Sequence, residues 1–503
     1  MPRPLPPSDS LPYALYTAAQ VRALDQAAIA SGMPGGALMA RAGEAAYQRL
    51  RASWPEARRI TLLCGAGNNG GDGYVLARLA RADGLDVTLL QLGDVSQLGA
   101  DAQGMLEAWL GMGGRLEAFR ELPRRSDVIV DALLGIGLER PVAGEWARAV
   151  EAVNAQRAPV LAIDIPTGLH ADTGRVLGTA IRAAATLSFI GLKQGLFTGA
   201  GPACCGDVYF DGLGVPAVIY AREILAARRL DWAKVSDQVE PRRRDAHKGD
   251  FGHVLVVGGA PGFSGAARLA GEGALRAGAG LVSVATHPAH AAHLNTGRPE
   301  LMVRGIADPR ELSPLLERAS AVAMGPGLGR EPWGVGLIER VLAAGKPLVM
   351  DADALNWLAG ARLRRDDWVL TPHPGEAARL LGCTAAEIQA DRFSALRRLQ
   401  DLYGGTIVLK GAGTLVLGPA RRPPGVCSQG NPGMASGGSG DVLTGMMAAL
   451  LGRGLDPEQA AEAAVCLHAA AGDRAAAEGE QGLLASDLIA AIRPTLNAAV
   501  TRP

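Results

Sequence analysis

Short apolar runs recur along the chain, and each is followed by a stretch of helical character. Residues 60–64, 87–92, 128–131 and 160–164 form one such series, with helices expected over 74–82 and 146–155 between them and over 17–31 and 37–54 ahead of them. Brief β-branched runs bounded by turn residues suit strands buried on both faces, and parallel neighbours need a crossover helix to connect them. A second alternation runs through 253–258, 281–286, 321–324, 348–351, 368–371 and 406–409, and closes with helices over 458–477 and 485–499. Between the two series, residues 220–247 are rich in Arg and Ala, carry Pro241 and show no strand pattern, so the domain boundary is placed there. The pattern predicts an α/β protein of two domains, the first a Rossmann-like doubly wound layer sandwich. A chain of 503 residues is too long for one core. In such sheets ligands bind outside the carboxyl ends of the strands.

Composition narrows the partners. Lys+Arg and Asp+Glu both total 50, for a formal net charge of +0, so no global field draws the chain to nucleic acid or to a membrane surface. Small molecules are the expected ligands. The six cysteines show no metal-ligand spacing, which suits a reducing compartment. The Pro-rich start lacks an apolar signal core, and no run reaches the ~18 apolar residues of a membrane span. A cytoplasmic location is expected. Arginine is the generic surface cation, and of the lysines Lys193, Lys248 and Lys410 fall in glycine-flanked motifs.

The loop after the strand at 60–64 reads Gly65-Ala66-Gly67-Asn68-Asn69-Gly70-Gly71-Asp72-Gly73. It contains a literal GxGxxG, yet the next strand ends at Gln91-Leu92, without the ribose-binding acid of a dinucleotide fingerprint. Asn68, Asn69 and Asp72 add amide and carboxylate oxygens instead, a composition suited to cation coordination and polar recognition. Asp131 and Asp164 finish two further strands, and the topology brings all three loops to one sheet edge.

In the second half, Gly430-Asn431-Pro432-Gly433-Met434-Ala435-Ser436-Gly437-Gly438-Ser439-Gly440-Asp441 opens an apolar helical run. Glycines let backbone N–H groups crowd around an anion, and a helix beginning near Asp441 points its positive end at the same place. A carboxylate there repels phosphate but can deprotonate a substrate hydroxyl, so the stretch has the layout of a phosphoryl-transfer site. Gly325-Pro326-Gly327, Asp351-Ala352-Asp353, Thr371-Pro372-His373-Pro374-Gly375-Glu376 and Lys410-Gly411-Ala412-Gly413-Thr414 recur at strand ends. The Pro-His-Pro setting is expected to hold His373 in an exposed loop.

These motifs resemble two families. Asn68 to Gly73, Asp131-Ala132-Leu133-Leu134-Gly135-Ile136-Gly137-Leu138-Glu139-Arg140-Pro141 and Asp164-Ile165-Pro166-Thr167-Gly168-Leu169 resemble the NAD(P)H-hydrate epimerase domain, over roughly residues 16–220. The second-half motifs resemble the ADP-dependent NAD(P)H-hydrate dehydratase, a ribokinase-like α/β domain, taken to span 231–501.

The resemblance implies that Asn68, Asn69, Gly70, Gly71, Asp72, Gly135, Ile136, Gly137, Leu138, Glu139, Arg140, Pro141 and Asp164 hold the hydrated dinucleotide, and that Asn69, Asp131 and Thr167 hold potassium. In the second domain it assigns the hydrate to Ala266, Gly327, His373 and Asp441, and the adenine nucleotide to Lys410, Gly411, Ala412, Gly413, Thr414 and Gly440. Asp164 and Asp441 are the implied catalytic residues. Mg2+ accompanies ADP as co-substrate, the other substrates are NADHX and NADPHX, and a homo-oligomer is expected. Two alternatives stay open on the residues alone. A small-molecule kinase of the vitamin type would release a stable phosphorylated product, and a first domain of this fold can serve as a non-catalytic binding module.

Overall fold

The structure, a computed structural model, describes residues 11–420 and 422–498. The extreme Pro-rich start of the chain, Arg421 and the last residues of the second expected domain lie outside them. The chain folds as two compact units that divide between Arg228 and Arg229.

In the first unit seven parallel strands lie in the order Glu117–Ala118, Asp86–Gln91, Arg59–Cys64, Val128–Ala132, Val160–Ile163, Ala185–Phe189, Asp207–Asp211. Alternate side chains of each strand leave by opposite faces. Leu62, Val130 and Leu161 enter a core with helices Ala18–Ala30, Gly35–Ser53, Asn68–Ala82 and Ala100–Gly111, while Leu63, Ile129 and Ala162 pack with helix Gly144–Asn154 on the other face. The strand order reverses at Arg59–Cys64, whose sequence successor lies on one side and Val128–Ala132 on the other. That reversal opens the crevice at the carboxyl ends of these two strands.

Two strands of this sheet, Ala185–Phe189 and Asp207–Asp211, carry polar residues that break the continuous apolar run of a buried strand. The expectation of no strand within 220–247 fails at Ala227–Leu230, whose Ala-Arg-Arg-Leu sequence hides a buried strand. Arg229 is buried there because its guanidinium is paired with Asp231, at 2.8 Å.

In the second unit the order is Met302–Gly305, Leu281–Thr286, His253–Val257, Ala321–Met324, Leu348–Met350, Trp368–Leu370, Thr406–Leu409, Leu415–Leu417, Gly425–Cys427. The first seven are parallel, Leu415–Leu417 turns back antiparallel to them, and Gly425–Cys427 turns again, antiparallel to Leu415–Leu417. Helix Ser439–Gly452 is apolar nearly all round because it is enclosed nearly all round. It lies close against helix Ser264–Arg276. A Cβ on Gly445 would stand 1.8 Å from the Ala270 carbonyl oxygen, so the close approach requires glycine there.

Candidate active sites

In the first unit the Asn-Asn-Gly-Gly-Asp segment is not a free loop. Helix Asn68–Ala82 begins at Asn68, capped by Gly67, so these residues form its first turn. Only glycine fits at Gly65, where a Cβ would lie 2.0 Å from the Leu133 carbonyl oxygen and force apart the two strand ends that frame the crevice. Asn68 faces solvent, and Asn69 is buried with neither side-chain atom hydrogen-bonded. Asp131 is 1% exposed; it accepts from Thr167 N at 2.8 Å, Thr167 Oγ1 at 2.7 Å and Leu133 N at 3.2 Å. Burial pushes its carboxyl up to about 6 against the pull of those hydrogen bonds.

The donor set fits a hard monovalent cation. The carboxylate offers roughly four acceptor positions, of which three are used. The Thr167 hydroxyl accepts once, from Leu134 N at 3.0 Å, and the buried Asn69 amide oxygen has no donor. Gly135 adjoins Asn69, with a notional Cβ 3.6 Å from the Asn69 Cβ. From there the part-exposed 135–141 segment leads to exposed Glu139, which faces His170 at 3.6 Å.

Asp164 follows strand Val160–Ile163 with a φ of 68°, in the left-handed region. Its carboxylate accepts from the Lys193 ammonium and from Phe189 N. Asp72 adjoins this pair. Burial pushes its carboxyl well above the ordinary range, Asp164 and Asp25 push the same way, and Lys193 pulls against them. Sequence reasoning missed Asp25, which sits in an unremarkable helical stretch, and gave Lys193 no role despite its glycine flanks.

The second unit gathers charge at the start of helix Ser439–Gly452. The helix begins two residues earlier than Asp441, so Asp441 stands in its first turn with Gly438 as cap. Asp473 ties down the preceding loop by accepting from Gly430 N at 3.0 Å and Asn431 Nδ2 at 2.9 Å. The Lys410 ammonium reaches Asp351 Oδ1 at 2.6 Å and Glu376 Oε2 at 3.8 Å, and lies 3.4 Å from a notional Cβ on Gly440. Thr444 Oγ1 donates to the other Asp351 oxygen at 2.7 Å. Burial pushes the Asp441 carboxyl up to about 7, with Asp351, Glu376 and Asp353 adding repulsion that Lys410 partly offsets.

His373 is exposed as expected, but it caps a helix rather than standing in a loop. Its Nδ1 accepts from Gly375 N at 3.0 Å at the start of Pro374–Leu381, and Glu376 reaches back to His373 N at 2.8 Å. Ala266 and Gly327 come together, a notional Gly327 Cβ falling 3.2 Å from the Ala266 Cβ. Asp353 ties that glycine loop to the cluster by accepting from Gly329 N at 2.9 Å.

Beneath Lys410 to Gly413 lies fully buried Arg392, donating from Nη2 to the carbonyls of Leu409 at 3.1 Å, Lys410 at 3.3 Å and Gly413 at 3.5 Å. His468 donates from Nε2 to the Ser439 carbonyl at 2.9 Å, and burial holds its imidazole down at about 4, hence neutral. Neither was legible in sequence, since a lone Arg or His within a helix carries no signal of its own. Asp351, Asp353 and Glu376 stood in recognised motifs without an assigned role. Lys248 lies exposed on a short turn, Lys248–Phe251.

Such a second unit, a mostly parallel sheet with a glycine-bounded helix start facing a carboxylate and a lysine, defines a phosphoryl-transfer enzyme of ribokinase-like fold. A ribokinase-like superfamily protein of Enterococcus faecalis shares that fold, with 28% identity and a TM-score of 0.51 over 55% of this chain and 98% of that one. Residues 254–494 match the NAD(P)H-hydrate dehydratase family, and 35–195 match the YjeF-related protein N-terminus. The bifunctional NAD(P)H-hydrate repair enzyme Nnr of Coxiella burnetii is 47% identical over 96% of this chain and 99% of its own length. The Escherichia coli enzyme of the same name is 46% identical over 98% and 96%. The chain belongs to the family of bifunctional NAD(P)H-hydrate repair enzymes.

Proposed function

We propose that the unit spanning 16–220 interconverts the R and S forms of NADHX and NADPHX, and that the unit spanning 231–501 dehydrates the S form with ADP, releasing AMP and phosphate. The observation that carries this reading is the setting of Asp441. Its carboxyl, raised to about 7, sits in the first turn of a helix whose N-terminus can hold phosphate, beside the Lys410 ammonium. A base of that strength is matched to a hydroxyl at neutral pH. Asp441 takes the proton of the C6 hydroxyl, whose oxygen attacks the β-phosphorus of ADP as AMP leaves. Phosphate then departs from C6 with its bonding electrons, a proton leaves the neighbouring ring carbon, and the double bond is restored.

Lys410, Gly411, Ala412, Gly413, Thr414 and Gly440 bind the nucleotide, while Ala266, Gly327, His373 and Asp441 face the hydrate. Among the described residues no group of three or more His, Cys, Asp or Glu side chains is arranged to hold a metal. This suits Mg2+ carried in by the nucleotide phosphates, where it neutralises charge.

In the first unit Asn68 to Asp72, Gly135 to Pro141 and Asp164 bind the hydrate, and Asp164 serves as the acid/base group. Asn69, Asp131 and Thr167 would hold K+, which supplies fixed positive charge. The six free cysteines support a reducing, cytoplasmic setting, and no described helix is long and apolar enough to cross a membrane. The reading includes a homo-oligomer. Incubating the purified chain with mixed R and S hydrate tests the whole scheme. Without ADP the epimer ratio should relax to equilibrium, and with ADP both forms should be consumed with equimolar phosphate release. A stable phosphorylated product would refute it.

A further inference from the structure

The first site holds a buried cation that the scheme above leaves without a task. Lys193, in the short strand Leu192–Lys193, is 0% exposed. Its ammonium donates to Asp164, to Ser188 Oγ at 3.0 Å and to the Phe189 carbonyl at 3.1 Å, which uses all three of its donors. Asp164 is fixed from the same side, since Phe189 N donates to it at 3.2 Å and its own N–H donates to the Leu187 carbonyl at 2.8 Å. Its carboxylate remains 15% exposed. A non-glycine residue at a φ of 68° is uncommon and persists only where its surroundings over-determine it.

Stability does not account for this arrangement. Taking an ammonium wholly out of water is costly, and a well-packed apolar pair often serves the fold as well. The charge balance is informative. Asp25, from helix Ala18–Ala30, and Asp72, from helix Asn68–Ala82, face Asp164 as well, and Asp101 lies beyond Asp25. The Lys193 ammonium acts on both Asp72 and Asp164, and the hydrogen bond assigns it to Asp164.

We propose that Lys193 is the positioning residue of the epimerisation site, fixing the Asp164 carboxylate where it exchanges protons with the C6 oxygen. The inference rests on reading the first unit as a hydrate epimerase. Asp164, which still reaches solvent, relays a proton to the departing C6 hydroxyl. The C6–O bond breaks with its electrons on oxygen, the ring-nitrogen lone pair closes a C=N bond, and water is released. Water returns to the other face of C6, and Asp164 takes the proton it sheds and returns it to solvent. No oxidant or further reactant enters.

The test is Lys193→Met in the full chain. Epimerisation kcat should fall roughly 100-fold or more with KM within about threefold, because the loss lies in the chemical step rather than in binding. The acidic limb of its pH–rate profile should move to higher pH, and dehydration of pure S hydrate with ADP should be unchanged. In an Asp164→Asn background the same substitution should cost nothing further, since coupled residues are non-additive. Losses that multiply, or an epimerisation kcat within about threefold of wild type, would overturn the proposal. If Lys193→Met does not fold, Ser188→Ala retains the lysine and removes one of its anchors. It should lower kcat about fivefold, and an unchanged kcat overturns the proposal. Wild-type protein that leaves the epimer ratio untouched sinks the epimerase reading itself.

Discussion

Replacing Asp441 by Asn should make the dehydratase slower and the protein more stable at once. The amide keeps the side chain's size but cannot accept the hydroxyl proton, and loss of a general base typically lowers turnover by about 10²- to 10⁴-fold. Stability moves the other way. In the folded chain the carboxyl is raised from its ordinary value of 3.8 to about 7, first by burial and then by Asp351 and Glu376. A group raised in this way contributes stability that is full below its unfolded value and lost as pH rises through about 7.

At ~1.4 kcal/mol per decade, the ionised carboxylate acts against the fold by roughly 4 kcal/mol at pH 8. Its favourable interaction with the helix N-terminus is worth only ~0.3–1 kcal/mol and cannot reverse that sign. The Asn variant should therefore unfold at a higher temperature at pH 8 and show a much smaller gain at pH 5. Phosphate release and recovery of nicotinamide absorbance from S hydrate measure turnover, calorimetry measures ADP affinity, and thermal scans at both pH values measure stability. Turnover within about threefold of wild type would eliminate Asp441 as the base. A lower unfolding temperature at pH 8 would make it a structural cap.

Asp131→Ala should impair epimerisation and spare dehydration of pure S hydrate; equal loss of both activities would refute its assignment to the first site. Because burial raises the Asp131 carboxyl to about 6, the wild-type fold loses stability as pH rises from about 4 through 6, and a bound cation offsets that loss. KCl should therefore raise the unfolding temperature of the first unit more at pH 8 than at pH 5, and a pH-independent response would remove potassium from the account. Arg392→Lys withdraws most of the donors beneath the Lys410 to Gly413 loop. ADP affinity should fall about tenfold in calorimetry with the fold retained, and unchanged affinity would show that the loop holds its shape unaided. Expressed separately, residues 1–220 and 231–503 should each keep their own activity, and two inactive fragments alongside an active full chain would refute that independence.

The α/β class and the strand-end motifs were legible because buried parallel strands must be continuous apolar runs and because glycine beside a strand end is a local, steric signal. The same rule explains the misses. Ala227–Leu230 and Ala185–Phe189 satisfy polar side chains by contacts from elsewhere, Arg229 with Ser428 Oγ at 3.1 Å and Thr186 with the Cys205 carbonyl, and no local pattern records a distant partner. Asn69, Asp131, Thr167, Asp164 and Asp441 could be marked in sequence as oxygen donors. Whether a carboxyl is a ligand, an acid or a base depends on burial and on neighbouring charge, which the tertiary structure decided by bringing Lys193 and Asp25 to Asp164, and Asp351, Glu376 and Lys410 to Asp441. Charge interactions act through space across residues far apart in the chain. Sequence by itself therefore determined which groups are present and on which strand ends they stand, and only the fold determined the protonation states they hold.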